Sequence, residues 1–249
     1  MMNLNPRYII PAAITSLALI GGVLWFTGVM TFREGSFLPE FSLDAFTSSN
    51  PPSLDRALVF PDSFSEEAKS ILTKNVETLK KFIQDNPGTA ISAWLDLAIQ
   101  YKTIGDYDGA IQVWKYLVAR YPNDATPLYN LGSTYHLFLK DFGKSERYYK
   151  EAIERSPSLT VYYTGLHELY RYSYKQDTTL AADVLLQALE HVEGDQRIDI
   201  YLALGSYYND KGDKESAIKY YTKAREGAVS MGNMTLIKQI DTALSVLKK

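Results

Sequence analysis

The chain has 249 residues, with 26 basic and 29 acidic side chains and a formal net charge of −3. So close a balance supplies neither a basic footprint for nucleic acid nor an acidic tail. Cysteine is absent while tyrosine reaches 19 residues, which excludes disulfides, thiolate metal sites and cysteine nucleophiles.

Residues 1–7 are a short N-terminal tail. Residues 8–32, Tyr8 to Phe32, then form a run of 25 residues without a charged side chain. A helix needs about 20 apolar residues to cross the hydrocarbon core, so this run is long enough to span it with some tilt. Arg7 closes one end and Arg33-Glu34 the other, while Tyr8, Trp25 and Phe32 sit where amphipathic rings favour the interface. Pro11 falls in the first turn, where its missing N–H costs little. A cleaved signal peptide has a shorter apolar region of about 7–15 residues that ends in small side chains. This run ends in Val29-Met30-Thr31-Phe32, so a single-pass transmembrane anchor is expected. Ala12/Ser16 and Ala18/Gly22 have small-xxx-small spacing, which leaves a homo-oligomer through the span as an option. Arg7 and Arg33 tie in the count of flanking basic residues, and a free N-terminal amine tips the first flank positive. The expected orientation has the N-terminus in the cytoplasm and the larger domain outside it, periplasmic or extracellular. A cytoplasmic domain is the alternative.

Residues 33–62 read as a flexible juxtamembrane linker. Thr47-Ser48-Ser49-Asn50-Pro51-Pro52-Ser53 combines turn formers with a proline pair, and Pro39 and Pro61 bracket it. Proline removes donors and extends the residue before it. Phe37, Phe41, Phe46 and Phe60 are scattered through the linker, where they are able to dock on the C-terminal domain, but a spacer is the simpler expectation.

From residue 63 to 249 the apolar residues fall at helical spacing. Ser65-Glu66-Glu67 opens a capping helix over 65–86, with a serine cap and acids in its first turn. Trp94, Leu97, Ala98 and Tyr101 then mark one face of a helix. Gly105-Asp106-Tyr107 signals a turn, and Ala110, Trp114 and Leu117 mark a second helix that stops before Pro122. The same sentence recurs. The first-helix quartet becomes Leu128, Leu131, Gly132, Tyr135, then Tyr163, Leu166, His167, Tyr170, then Tyr201, Leu204, Gly205, Tyr208. The second-helix trio becomes Ser145, Tyr149, Ala152, then Ala181, Leu185, Ala188, then Ala217, Tyr221, Ala224. The equivalent positions Trp94, Leu128, Tyr163 and Tyr201 are 34, 35 and 38 residues apart. A period near 34 residues marks stacked helix pairs. An apolar stripe over 233–247, with Leu236, Ile237, Ile240, Leu244 and Leu247, caps the far end.

This pattern resembles the tetratricopeptide repeat family over residues 91 to about 231. Four units are assigned, 91–124, 125–159, 160–195 and 198–231. The resemblance implies an all-α right-handed α-solenoid of four helix pairs with a capping helix at each end. The third unit departs from the pattern, with His167 at the small position and extra residues around Tyr174-Lys175-Gln176-Asp177. A longer first helix or a bulged turn is expected there.

Chemistry is sparse. Gly143-Lys144-Ser145 resembles the end of a phosphate loop, but Phe138 stands where that loop needs glycine. His136, His167 and His191 are too widely spaced to form a paired metal motif. The repeat register places His167 in the core, His136 on the inner surface and His191 at a helix end. Asn233-Met234-Thr235 fits a glycosylation sequon and also a helix start. No catalytic set, cofactor site or metal site is read, so an enzyme is not expected. In the family that the repeats resemble, the first helices line an inner groove. That implies a binding surface of Asp96, Ile99, Lys102, Tyr129, Asn130, Ser133, His136, Thr164, Glu168, Arg171, Leu202, Ser206 and Asn209, mixed polar and aromatic, suited to an extended peptide or a helix. The function expected is a membrane-anchored scaffold or adaptor for a partner protein, in assembly or quality control of envelope or membrane proteins. An accessory subunit of a membrane enzyme complex, or a self-associating structural protein, is the alternative.

Overall fold

The computed structural model describes residues 50–248. The expected span at 8–32 and the first part of the linker lie outside the described residues. Among the described residues no helix is long and apolar enough to cross a membrane.

Ten α-helices and no strand form the described part of the chain: α1 Glu66–Asp85, α2 Ile91–Ile104, α3 Tyr107–Arg120, α4 Thr126–Thr134, α5 Phe142–Arg155, α6 Thr160–Tyr172, α7 Leu180–His191, α8 Gln196–Asp210, α9 Lys214–Ser230 and α10 Met234–Leu247. Each packs on the next, and α6 also lies against both α4 and α8. This is a solenoid of helix pairs α2–α3, α4–α5, α6–α7 and α8–α9, with α1 and α10 as caps.

Local chemistry sets the boundaries. The α1 cap is Ser65, whose hydroxyl accepts from the Ala68 N–H. The second helices α3, α5 and α9 begin alike, with Asp106, Asp141 and Asp213 accepting from the N–H three residues on. Those bonds satisfy donors that a helix start leaves open. Asn233 does the same for α10, accepting from Leu236 N–H at 3.1 Å, so the sequon is a helix cap in the structure. Gly105 ends α2 at φ +93°, where glycine has no Cβ to clash.

The spacing of 35 has a local cause. After α4 the chain makes one π-helical turn, Tyr135–Leu139, and Lys140 then takes the left-handed conformation at φ +57°. Gly105 follows Tyr101 by four residues and Lys140 follows Tyr135 by five. The π turn therefore absorbs one inserted residue, as such bulges do. In the third unit α6 is 13 residues long, so the extra residues are not in a longer helix. They form the turn 173–179, with Lys175 at φ +58°. Lys175 Nζ lies 2.9 Å from both carboxylate oxygens of Glu146, which also accepts from the Tyr170 hydroxyl at 2.5 Å and from Lys150 at 2.9 Å.

Packing rests on small residues facing rings. The motif residues Leu97, Ala98, Ala110, Trp114, Leu128, Tyr163, Leu185, Ala188, Leu204 and Ala217 are all fully buried. Tyr149 of α5 is clamped by two glycines. A Cβ at Gly132 would lie 2.8 Å from its Cδ1, and one at Gly165, in the next unit, 2.8 Å from its Cε1. Gly205 bears the same relation to Tyr221. The histidine in the third unit replaces this close approach with a hydrogen bond, its Nδ1–H donating to Ala181 C=O at 2.7 Å.

The linker reading is corrected for its last part. After a turn at Leu54-Asp55 the chain runs without helix or strand over α1 and the α2–α3 turn, with Leu54, Arg56, Leu58 and Phe60 half-buried and Asp55, Ala57 and Val59 exposed. Leu54, Leu58 and Phe60 pack against the core. The Arg56 guanidinium donates to both oxygens of Asp106, at 2.5 Å from NH2 to Oδ1. Proline content suggested a solvated spacer, but alternate side chains give this stretch a docking face.

Two substitutions at glycine are expected to act in opposite senses. Gly132→Ala drives a methyl into the Tyr149 ring and lowers stability by about 1–2 kcal/mol, a thermal midpoint drop of roughly 2–8 °C. Gly143→Ala meets nothing closer than 3.9 Å and leaves the midpoint unchanged or slightly raised. Circular-dichroism melts of the two variants check this.

A candidate peptide-binding face on the first helices

The thirteen residues assigned to the inner face come from α2, α4 with its π turn, α6 and α8. The structure keeps most of them accessible. Asp96, Ile99, Glu168 and Asn209 are exposed, while Lys102, Tyr129, Asn130, Ser133, Thr164, Arg171, Leu202 and Ser206 are half-buried. Several are already committed. Lys102 Nζ stands 5.9 Å over the Trp114 ring, an approach that favours the cation on the indole face. The Arg171 guanidinium donates to Ser206 Oγ at 2.9 Å and to Asp210, joining the third unit to the fourth. The Thr164 hydroxyl donates to Val161 C=O at 3.0 Å.

His136 is placed differently from the sequence reading. It is 4% exposed, with Nε2 2.9 Å from Ser173 Oγ and its ring edge-on to Phe142 and Tyr149. The π turn causes this, because one extra residue rotates position 136 inward. It belongs under the face rather than on it.

The centre of the face is aromatic. Tyr129 packs between Tyr149 and Tyr162, with ring centroids 5.7 and 5.6 Å away. Burial first, and then the nearby Glu168 charge, push the Tyr129 hydroxyl above the usual tyrosine range. The Tyr149 hydroxyl is raised mainly by burial, with its hydrogen bond to Ser133 opposing. Both rings therefore stay neutral at physiological pH, and half-buried Tyr129 offers a donor as well as apolar surface, with buried Tyr149 beneath it. Tyr149, Tyr162, Ser173 and Asp210 were not read as part of this site. Tyr149 stood at a core motif position, and its ring contact with Tyr129 and its bond to Ser133 tie it to the face. Asp210 is adjacent to Asn209, and pairing with Arg171 was its signal.

Other sequence motifs resolve structurally. Gly143 and Lys144 lie in the first turn of α5, where Asp141 accepts from Lys144 N–H and from its ammonium at 2.6 Å. The Ser145 hydroxyl donates to Gly132 C=O, so the three residues serve helix pairing. Asp106, Asp141 and Glu146 are held below the usual carboxylate range by hydrogen bonds that outweigh their desolvation. No group of three or more metal-ligating side chains comes together among the described residues.

With helix pairs, small-to-aromatic packing and repeated aspartate caps in place, the repeats have a class. Residues 92–124, 125–159 and 198–224 match family models described as tetratricopeptide repeat, and the described chain is an all-helical tetratricopeptide-repeat solenoid. Over 167 residues the chain is 26% identical to the Homo sapiens Superkiller complex protein 3, covering 60% of this chain and 10% of that protein. It therefore spans about a tenth of the length of the relative it matches. Among solved structures it is similar to MamA, with 22% identity, a TM-score of 0.52, and coverage of 70% of this chain and 99% of the other. A thermophilic TPR protein of Thermus thermophilus is similar at 20% identity and a TM-score of 0.49, over 71% and 98% of the two chains.

Burial lowers the proton affinity of His136, with Lys140 adding to it, and of His167, where the Ala181 bond partly opposes burial and Arg171 adds to it. The unfolded chain thus binds protons that the folded chain refuses. This stabilisation is complete above about pH 6.5 and is lost as the pH falls below it, through the window down to the depressed folded values. Melts between pH 7.5 and 5 are expected to show a falling midpoint. His136→Gln with His167→Asn, which keep the hydrogen-bonding nitrogens, flatten that slope.

Proposed function

We propose that the chain is a scaffold that binds a partner protein or peptide along the first-helix face and holds it at a membrane through residues 8–32. The observation that carries this is the Tyr129–Tyr149–Tyr162 cluster, whose half-buried leading ring is edged by the exposed Glu168 and the half-buried Asn130. An aromatic centre with a polar rim is the composition of surfaces that bind peptides. The class of the repeats supports protein binding in general, since stacked helix pairs present extended surfaces suited to it. Tethering confines a partner to the bilayer and raises its effective concentration for neighbours. The role we assign is assembly or quality control of envelope or membrane proteins, with the repeats outside the cytoplasm and no catalysis by the chain itself.

Cross-linking and pulldown with the full chain test the face. Tyr129→Ala and Glu168→Lys are expected each to cut recovery of the principal partner at least tenfold, while Glu190→Lys on α7 leaves it intact. Equal recovery by all the variants refutes binding through this face. Protease treatment of intact cells, with and without opening of the outer barrier, checks the orientation. Digestion of the repeats only after the cytoplasm is breached overturns the extracytoplasmic assignment.

A further inference from the structure

Residues 51–60 dock as a ligand docks. Every second side chain points to the solenoid, and the exchange of polar groups is made almost wholly by side chains. Arg56 spans both oxygens of Asp106, and the Arg56 carbonyl accepts from Lys80 of α1 at 3.2 Å. Among the described residues, no backbone N–H of residues 56–60 donates to the solenoid. Recognition of this segment therefore lies in its side-chain pattern, not in a backbone ladder.

The receiving surface is fitted to that pattern. Asp106 has the same capping duty as Asp141 and Asp213, and here the capping oxygen Oδ1 and the second oxygen both also accept from Arg56. Gly109 lies beneath the guanidinium, and a Cβ there would stand 2.6 Å from Arg56 Nε. The equivalent positions in the other units are Lys144, Leu180 and Ser216, none of which leaves that space. The fit is not a seal. A cleft of about 420 Å³ stays open between the segment and the α2–α3 turn, bordered by Phe60 and Ile104 among others.

We propose that α1 and the α2–α3 turn form a second peptide-binding site, separate from the first-helix face. It takes a non-helical segment, with a turn just before the arginine, in which the arginine is flanked two residues to each side by leucine-like side chains and an aromatic ring lies two further on. Residues 54–60 are its removable resident, and a partner segment of the same pattern replaces them. Held by one ion pair, one ammonium–carbonyl bond and three half-buried apolar side chains, the resident opens locally while the helices stay folded. Its tether gives it an effective concentration of order millimolar, so a partner gains the site when the resident's grip is loosened.

The test uses the full chain in detergent. Cysteine is absent from the sequence, so Ala57→Cys gives a single labelling position on the exposed side of the segment. Arg56→Ala is expected to lower the fluorescence anisotropy of that label with the helical circular dichroism unchanged. A fluorescent peptide of residues 50–62 then binds the Arg56→Ala chain at least tenfold more tightly than the chain with Arg56 intact. Asp106→Asn, which keeps a good helix cap, removes most of that gain, as does alanine for arginine in the peptide. No saturable binding to the Arg56→Ala chain, equal binding to both chains, or indifference to Asp106→Asn overturns the proposal. If Arg56→Ala loses its helical signal, the label is read on the chain with Arg56 intact under excess unlabelled peptide. A fall in anisotropy supports a removable resident, and no change at millimolar peptide overturns it.

Discussion

The solenoid depends on how closely two helix backbones approach each other across a glycine. Tyr149 fills the space that Gly132 and Gly165 leave, and the two glycines belong to consecutive units. One ring thus sets both the spacing within a pair and the spacing to the next pair. A larger side chain at either glycine separates helices that must stay in contact for Leu128, Leu131 and Tyr163 to remain buried. Neighbours share the apolar surface of each unit, so a fault at one interface is felt by the units on both sides.

Polar chemistry follows the same division between repeated and particular. Aspartate caps recur at the head of three second helices, where they satisfy the same open N–H groups each time. The particular bonds lie between units. Glu146 of the second unit gathers Tyr170 and Lys175 of the third, and Arg171 of the third reaches Ser206 and Asp210 of the fourth. Because Glu146 and the Arg171 side chain are mostly shielded from solvent, these contacts orient one unit on the next more firmly than exposed pairs do. The first-helix face inherits its shape from them.

Much of this was legible in the residues. Trp94, Leu97, Ala98, Tyr101, Ala110 and Trp114 state one helix pair, and three more copies follow it, the third with His167 at the small position and a longer spacing. The helix bounds at both caps were readable from Ser65 and Asn233. What escaped reading depended on a single residue of phase. The insertion that makes the spacing 35 was visible, but its placement as a π turn was not, and so His136 was put on the surface. The docked segment escaped for a different reason. Its prolines speak for extended backbone, and extended backbone is equally compatible with solvent and with a groove. Only the alternation of Leu54, Arg56, Leu58 and Phe60 distinguishes the two. On the binding face, Tyr149 escaped because a core motif position conceals a hydroxyl that bonds to Ser133 of the face.

The π turn at Tyr135–Leu139 and the long turn at 173–179 lie at the same point in successive units, between first and second helix. Each takes up surplus length before the second helix begins, so the error never accumulates along the stack. Growth at these corners is thus cheap in a way that a change of volume inside is not. Leu137, Phe138 and Leu139 already stand exposed there. One edge of the molecule is open to lengthening and new sequence without disturbing the helices that follow.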